Sequence, residues 1–394
     1  MIASSFNKKA LYIYKFLRGY KPIYAFYTIL FLERGLSITQ VAVLIALWSG
    51  FSIVFEIPAG ILADRWNRRN ILVMASLLHA VCFVLWFFAE SFWMFAVGFL
   101  FWAISGALTS GTEEGLIYDN LKSDQSEAMF TKIYARGKFF GTVGTILAIT
   151  SAGVLSRFIS IEMIALLSAG VCLLNAIVAA FLRERNLYSE QLDANETGFF
   201  KTFTDAGVFM KNNPLAIIIT LFLIMFASLG GYFDEFDALI INDFDMVLIW
   251  VSVILTVRFV FVALGDLAAP WIERRIKNTR QLFLLAALGC VSLLVFGWFW
   301  HIYFLLAFGL TAFLLEITSI VFVNKLQSVV KEEGRATVMS FFGVGSNLAM
   351  IVFGLIFAAL AGMMPLQMVY IFISIYGIAG CLCFYIYAKL KNLC

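Results

Sequence analysis

Glu113 and Glu114 stand side by side in a stretch that is otherwise apolar, and Glu316 and Arg258 each stand alone in another. An ionisable group at mid-bilayer costs about 2.5–3.5 kcal/mol on insertion scales and usually marks a functional position. A carboxylate there that desolvation pushes towards neutrality can take up a proton on one side and release it on the other. Glu113, Glu114 and Glu316 are therefore the candidates for proton coupling; a carboxylate hydrogen-bonded to its neighbours for packing is the plainer reading. Arg258 needs a counter-charge, and Glu316 is the expected partner. Glu56 shares a helix face with Gly60 and Asp64. Lys15, Arg18 and Lys21 precede Pro22. Lys15 and Arg18 are expected to snorkel to the inner surface, whereas Lys21 is placed to attract an anionic group. Asp234, Glu235 and Asp237, followed by Asp243 and Asp245, form an acidic mouth that favours cations. These two signals point to opposite ligand charges, and a zwitterion satisfies both. Lys21, Tyr24, Glu56, Tyr232, Asp234 and Arg258 are the candidate ligand contacts. Trp102 and Phe233 are among further aromatics able to stack on an apolar or cationic ligand.

These residues need a scaffold, and composition says in what solvent. The 394-residue chain is 62% hydrophobic and 13% charged, far from the balance of a soluble domain. A net charge of +3 argues against nucleic-acid binding, which needs a strong basic field. A membrane helix takes about 20 mostly apolar residues. Twelve such spans are legible: 11–32, 38–62, 70–89, 92–119, 139–155, 163–182, 215–232, 247–269, 282–300, 302–323, 338–361 and 366–389. With both termini cytoplasmic, 22 of the 28 Lys and Arg fall on the inner side, only Arg34 and Arg157 fall outside, and Lys15, Arg18, Lys21 and Arg258 fall within spans. That is the positive-inside pattern. The six cysteines and two histidines show no metal-site spacing and read as packing residues. No nucleophile–base pair and no phosphate loop is present, so the chain does not read as an enzyme or an ATP-driven pump.

The chain also repeats itself. Gly60-Ile61-Leu62-Ala63-Asp64-Arg65-Trp66 has a counterpart in Gly265-Asp266-Leu267-Ala268-Ala269-Pro270-Trp271, an offset of 205 residues. Leu121 and Ser123 match Leu326 and Ser328 at the same offset, and Gly141-Thr142-Val143-Gly144 resembles Phe342-Gly343-Val344-Gly345. Six spans return the chain to its starting side, so the halves share an orientation. The polar stretch between spans six and seven is the linker. Phe199, Phe200, Phe203 and Met210 within it are spaced for a helix lying on the inner leaflet, with an ordinary polar linker the equal alternative.

Gly60 to Arg69, between spans two and three, resembles the signature loop of the major facilitator superfamily, with Asn67 in place of the usual second glycine. Glu56-Ile57-Pro58-Ala59-Gly60, Ser110 to Asp119, and Gly334-Arg335-Ala336-Thr337 with Ser340 resemble a bacterial branch of it. The resemblance implies that Asp64, Arg65, Arg68 and Arg69, with Asp119 and Arg136, form a charge network latching an inner gate; Ala269 at the Asp64 position makes that latch asymmetric. Two departures weigh against drug–proton antiport by motif: Trp102 stands where such proteins carry an arginine in span four, and span five lacks a Gly-Pro-rich motif.

The expectation is an all-α membrane protein of twelve transmembrane helices in two pseudo-symmetric six-helix bundles, residues 1–182 and 214–394, joined by a cytoplasmic linker, 183–213. It is expected to be a monomer in the cytoplasmic membrane. Its partners are a small-molecule substrate, protons and lipid, and no cofactor is needed. The expected activity is secondary active transport of a small organic solute by alternating access. Export of amphipathic compounds comes first; import of a nutrient, zwitterion or metal chelate is the alternative, and a receptor or scaffold the remote one.

Overall fold

The computed structural model describes residues 7–126, 129–184, 213–276, 278–329 and 332–390. The linker's apolar residues Phe199, Phe200, Phe203 and Met210 lie outside them. Packing divides the chain into two compact units: Met1–Asn195 with Val247–Val253, and Glu196–Met246 with Ile254–Cys394.

The first unit holds α1 (Lys8–Gly19), α2 (Tyr27–Glu33), α3 (Ile38–Arg65), α4 (Arg68–Phe88), α5 (Phe92–Thr109), α6 (Thr112–Ser123), α7 (Phe130–Leu155) and α8 (Ile161–Ala180). The second holds α9 (Pro214–Asn242), most of α10 (Leu248–Glu273), α11 (Thr279–Phe299), α12 (Leu305–Val329), α13 (Glu332–Met363) and α14 (Leu366–Leu390). Eleven stretches of the described residues are long and apolar enough to cross a membrane.

The twelfth expected crossing, span one, is present in pieces, which corrects the unbroken helix expected over 11–32. Pro22 has no N–H to donate and forces Lys21 towards extended backbone, and a 3-10 turn over Pro22–Ala25 joins α1 to α2. Ser168 on α8 accepts the Ile23 N–H at 3.0 Å, so the break is satisfied inside the protein. Span four is also interrupted. Gly111 at φ +72° separates α5 from α6, a conformation that a side chain would strain. The equivalent spans of the second unit, α9 and α12, run without a break.

The two units use the same internal pairings, which is how the sequence repeat expresses itself. α1 packs on α7 and α8, as α9 packs on α13 and α14; α4 packs on α5 and α8, as α11 packs on α12 and α14. Where α1 crosses α7 the backbones touch. A Cβ on Gly19 would overlap the Gly141 carbonyl, and one on Gly144 would overlap the Phe16 carbonyl. The Gly-x-x-Gly stretch of span five is thus a crossing point, with small residues admitting close approach.

The apolar core of the first unit stacks Phe31, Phe83, Trp86, Phe95 and Phe99. That of the second gathers Phe222, Phe283, Phe322 and Phe384. Phe158, Trp93, Trp298 and Tyr303 are exposed near helix ends, where amphipathic rings anchor a membrane protein at its interfaces. Cys82, Cys172, Cys290 and Cys381 are buried as free thiols, and Cys383 is free and exposed.

Candidate functional site

Helix α4 starts at Arg68, capped by Asn67, whose side chain accepts the Asn70 N–H at 3.1 Å. Asn67 sits at φ −62°, so its substitution for glycine strains nothing and supplies a good N-cap. Glu184, beyond α8, then accepts the N–H groups of Arg68 at 2.7 Å and Arg69 at 3.0 Å. A carboxylate on two free donors at a helix N-terminus is favoured by hydrogen bonding and by the dipole. Asn120 on α6 donates to the carbonyl of Arg183 at 3.0 Å. The end of span six is thereby tied to spans three and four.

Of the expected latch residues, Arg68 and Asp119 meet among the described side chains. The Arg68 guanidinium reaches Asp119 at 2.9 Å. It does so by crossing Gly115, where a Cβ would overlap it. Arg136 is exposed on α7. The side chains of Asp64 and Arg65 lie outside the described residues. Ala269, at the Asp64-equivalent position, is fully buried in the core of the second unit.

Glu113 and Glu114 occupy the first turn of α6, where free N–H groups favour carboxylates. Adjacent helical residues point about 100° apart, and the two acids face different helices. Glu113, 2% exposed, takes Lys15 Nζ on one oxygen and Arg18 on the other. Lys15 was expected to snorkel to the inner surface, but it is itself buried, and the Glu113 carboxylate on a neighbouring helix satisfies it there. Arg18, paired with the same carboxylate, keeps 40% of its side chain exposed. Glu114 accepts the hydroxyl of Tyr134 on α7 at 2.9 Å. Its other oxygen is buried without a hydrogen-bond partner among the described residues. Lys15 lies 5.6 Å from the centre of the Tyr134 ring, so the two acids form one network across α1, α6 and α7.

The next turn opens a polar cavity of about 100 Å³ lined by Arg18, Lys21, His79, Trp102, Ser105 and Asn175, among others. Lys21 Nζ lies 3.4 Å from His79 Nε2 and 5.8 Å from the centre of the Trp102 ring. Ser105 Oγ lies 3.2 Å from His79 Nδ1. Both broken spans border the cavity, through Lys21 in one and Thr109 in the other. Tyr24 packs beside it on Trp102. The volume suits a few waters at about 30 Å³ each, well below the roughly 300 Å³ of a drug-sized site.

In the second unit Arg258, 3% exposed, pairs with Asp234 and, through Nε at 2.6 Å, with Asp237. The sequence expectation named Glu316 as the partner of Arg258 and missed these two acids. Asp234 and Asp237 stand one turn apart on α9 and present one face to Arg258. Asp237 is buried, not part of an outer mouth. Phe233 flanks the guanidinium at 5.2 Å. Glu316 is half-buried against Gly265, where a Cβ would stand 3.1 Å from the Glu316 Cβ. Tyr232 is buried in a stack with Phe236, Phe353 and Phe357, and Glu56 is exposed on α3. An apolar groove of about 370 Å³ among α9, α13 and α14 has only Ser228 and Tyr376 as polar lining.

Sequence reasoning missed Tyr134, Glu184, Asn120, His79 and Asn175. The available signal was polar spacing within spans: Ser76 with His79, Ser105 with Thr109, and Ser168 with Cys172 and Asn175 each repeat on one helix face.

Interrupted membrane helices bordering a polar cavity, with ion pairs inside each compact unit, define a polytopic membrane carrier. The chain belongs to the Major Facilitator Superfamily, whose profile matches residues 19–328. It is a multi-pass membrane protein of a transporter family and not an enzyme. It is 25% identical over 291 residues to the class H tetracycline resistance protein of Pasteurella multocida, covering 69% of this chain and 68% of that one. A shorter match, 39% identical over 67 residues, is to the MFS-type transporter YfkF of Bacillus subtilis (strain 168); it spans 17% of this chain and 16% of YfkF. Among solved structures, the nucleoside transporter NupG superposes with a TM-score of 0.80 at 14% identity over 96% of this chain and 98% of that one. A D-xylose-proton symporter gives 0.70 at 12% identity over 96% of each chain. At these identities the likeness is one of fold.

Proposed function

We propose that the protein is a secondary active transporter that moves a small organic solute across the cytoplasmic membrane by alternating access, coupled to protons, with export of amphipathic compounds as its direction. It works as a monomer with both termini in the cytoplasm, residues 1–182 and 214–394 forming the two moving bundles and 183–213 the linker. The observation that carries the coupling is the divided role of the two adjacent acids. Glu113 has a cation on each oxygen, so a proton arriving there competes with Lys15 and Arg18. Glu114 keeps one oxygen free to bind a proton, one residue along the same helix turn. Protonation at Glu114 also changes the hydrogen bond from Tyr134, and Tyr134 carries Lys15 on its ring. Proton binding is thus wired to the α1–α6 ion pair, whose rearrangement accompanies the rocking of the halves. The Arg68–Asp119 pair serves as one inner latch.

The likeness to a tetracycline resistance protein supports an amphipathic cargo and the outward direction. The test is accumulation in inside-out membrane vesicles of a radiolabelled panel comprising one cation, one anion and the zwitterion tetracycline. Accumulation of one of them that collapses when a protonophore is added is expected. Equal retention by vesicles with and without the protein, across the panel and in both gradient directions, overturns the reading.

A further inference from the structure

The cavity of the first unit collects positive charge without an answering acid. Arg18 reaches its edge with its charge shared with Glu113. Lys21 lies beside His79 and Trp102, and no carboxylate lines the cavity among the described residues. Lys21 is half-buried, and an ammonium drawn even partly out of water without a counter-ion is costly. The surrounding groups are themselves buried and polar: His79 is 7% exposed, Asn175 4% and Ser105 4%. Asn175 donates to Ser76, which donates onward to the Leu72 carbonyl. That chain fixes the amide's direction and leaves Asn175 Oδ1 buried without a partner among the described residues.

We propose that this cavity is a binding site for a small anionic group, with Lys21 as its charge partner and Asn175 Oδ1 accepting a hydrogen from a hydroxyl or water that accompanies it. About 100 Å³ admits a halide or a carboxylate with one or two waters, and excludes the body of an organic solute. The chemistry comes from one of two sources: a free inorganic anion, or the carboxylate end of a transported solute whose remainder lies outside. The inference deepens the transport reading and rests on it only for why a ligand visits the site. A binding measurement without flux therefore separates failure of this site from failure of that reading.

The test uses the full-length protein in lipid nanodiscs. Thermal unfolding is followed while chloride, bromide, formate or acetate replaces gluconate at constant ionic strength. A saturable rise in Tm is expected, because a ligand of the folded state raises apparent stability. Half-saturation should move up by about tenfold or more in Lys21→Met, less in Asn175→Ala, and little in Lys21→Arg or in the exposed control Lys138→Met. Saturation by halides identifies a free anion. Saturation by carboxylates alone identifies the end of a solute. Either supports the site. A Tm that follows no saturation with any of the four ions, or the same half-saturation in Lys21→Met as in wild type, overturns it. Should Lys21→Met not fold, the wild-type ion series and Asn175→Ala decide: no saturation on the wild type, or an unchanged half-saturation in Asn175→Ala, overturns the site.

Discussion

The ammonium of Lys15 lies 5.6 Å from the centre of the Tyr134 ring, and the hydroxyl of that ring donates to Glu114 at 2.9 Å. Lys15 also holds Glu113. One lysine thus touches both members of an adjacent acid pair, one through charge and the other through an aromatic ring. The physical consequence is coupling: a change at either acid is felt at the same cation, and through it by α1.

Removing the acid of the buried pair should be expensive. Glu113→Gln leaves Lys15 buried beside a neutral amide, and losing one partner of a buried pair costs about 3–5 kcal/mol. The double variant Lys15→Met with Glu113→Gln should recover part of that loss. A double-mutant cycle by thermal or denaturant unfolding in detergent checks this; strictly additive effects would show that the two groups do not interact.

Gly115 offers a way to disturb the Arg68–Asp119 latch without touching either charge. Gly115→Ala places a methyl where the Arg68 guanidinium lies, so the ion pair should open. Cysteine accessibility where α3 ends and α4 begins should increase while overall stability falls by only about 1–3 kcal/mol, the usual range for overpacking. Unchanged labelling would place the latch elsewhere.

The α1–α7 crossing makes a steric prediction. Gly144→Leu must push α7 away from the Phe16 carbonyl, and there is no flexible side chain to yield, since the obstacle is backbone. Expression of folded protein should fall sharply for Gly144→Leu and hardly at all for Leu at Gly170, where the space is open. Size-exclusion profiles of the two variants decide it.

In the second unit Arg258→Met leaves Asp237 buried without its cation. A loss of about 3–5 kcal/mol is expected, with partial recovery in Arg258→Met with Asp237→Asn. Arg258→Lys should do better than Met but worse than wild type, since a lysine cannot serve both Asp234 and Asp237 with a planar fork. Thermal unfolding of the four proteins gives the order.

Apolar run length and the distribution of Lys and Arg made the helical membrane fold legible, because lipid imposes both on the local sequence. The breaks were harder to read. Pro22 and Gly111 were visible as residues, but whether a helix stops there depends on partners such as Ser168, far away in the chain. The same holds for the site. Lys15, Arg18, Lys21, Glu113 and Arg258 stood out as charges in apolar runs. Their pairings did not, since Glu113 lies 98 residues from Lys15 and Glu184 lies 116 from Arg68. Asp234 and Asp237 were not foreseen as partners of Arg258, because helical spacing places them on one face without saying which neighbour that face meets.

The coupling role of Glu114 is tested most directly by proton movement. Wild type and Glu114→Gln are reconstituted in liposomes loaded with a pH-sensitive dye, and the solute found in the vesicle panel is added outside. The account predicts a solute-dependent pH change for wild type, and for Glu114→Gln downhill solute exchange with no accompanying proton signal. A Glu114→Gln protein that moves protons and concentrates solute as wild type does would contradict it.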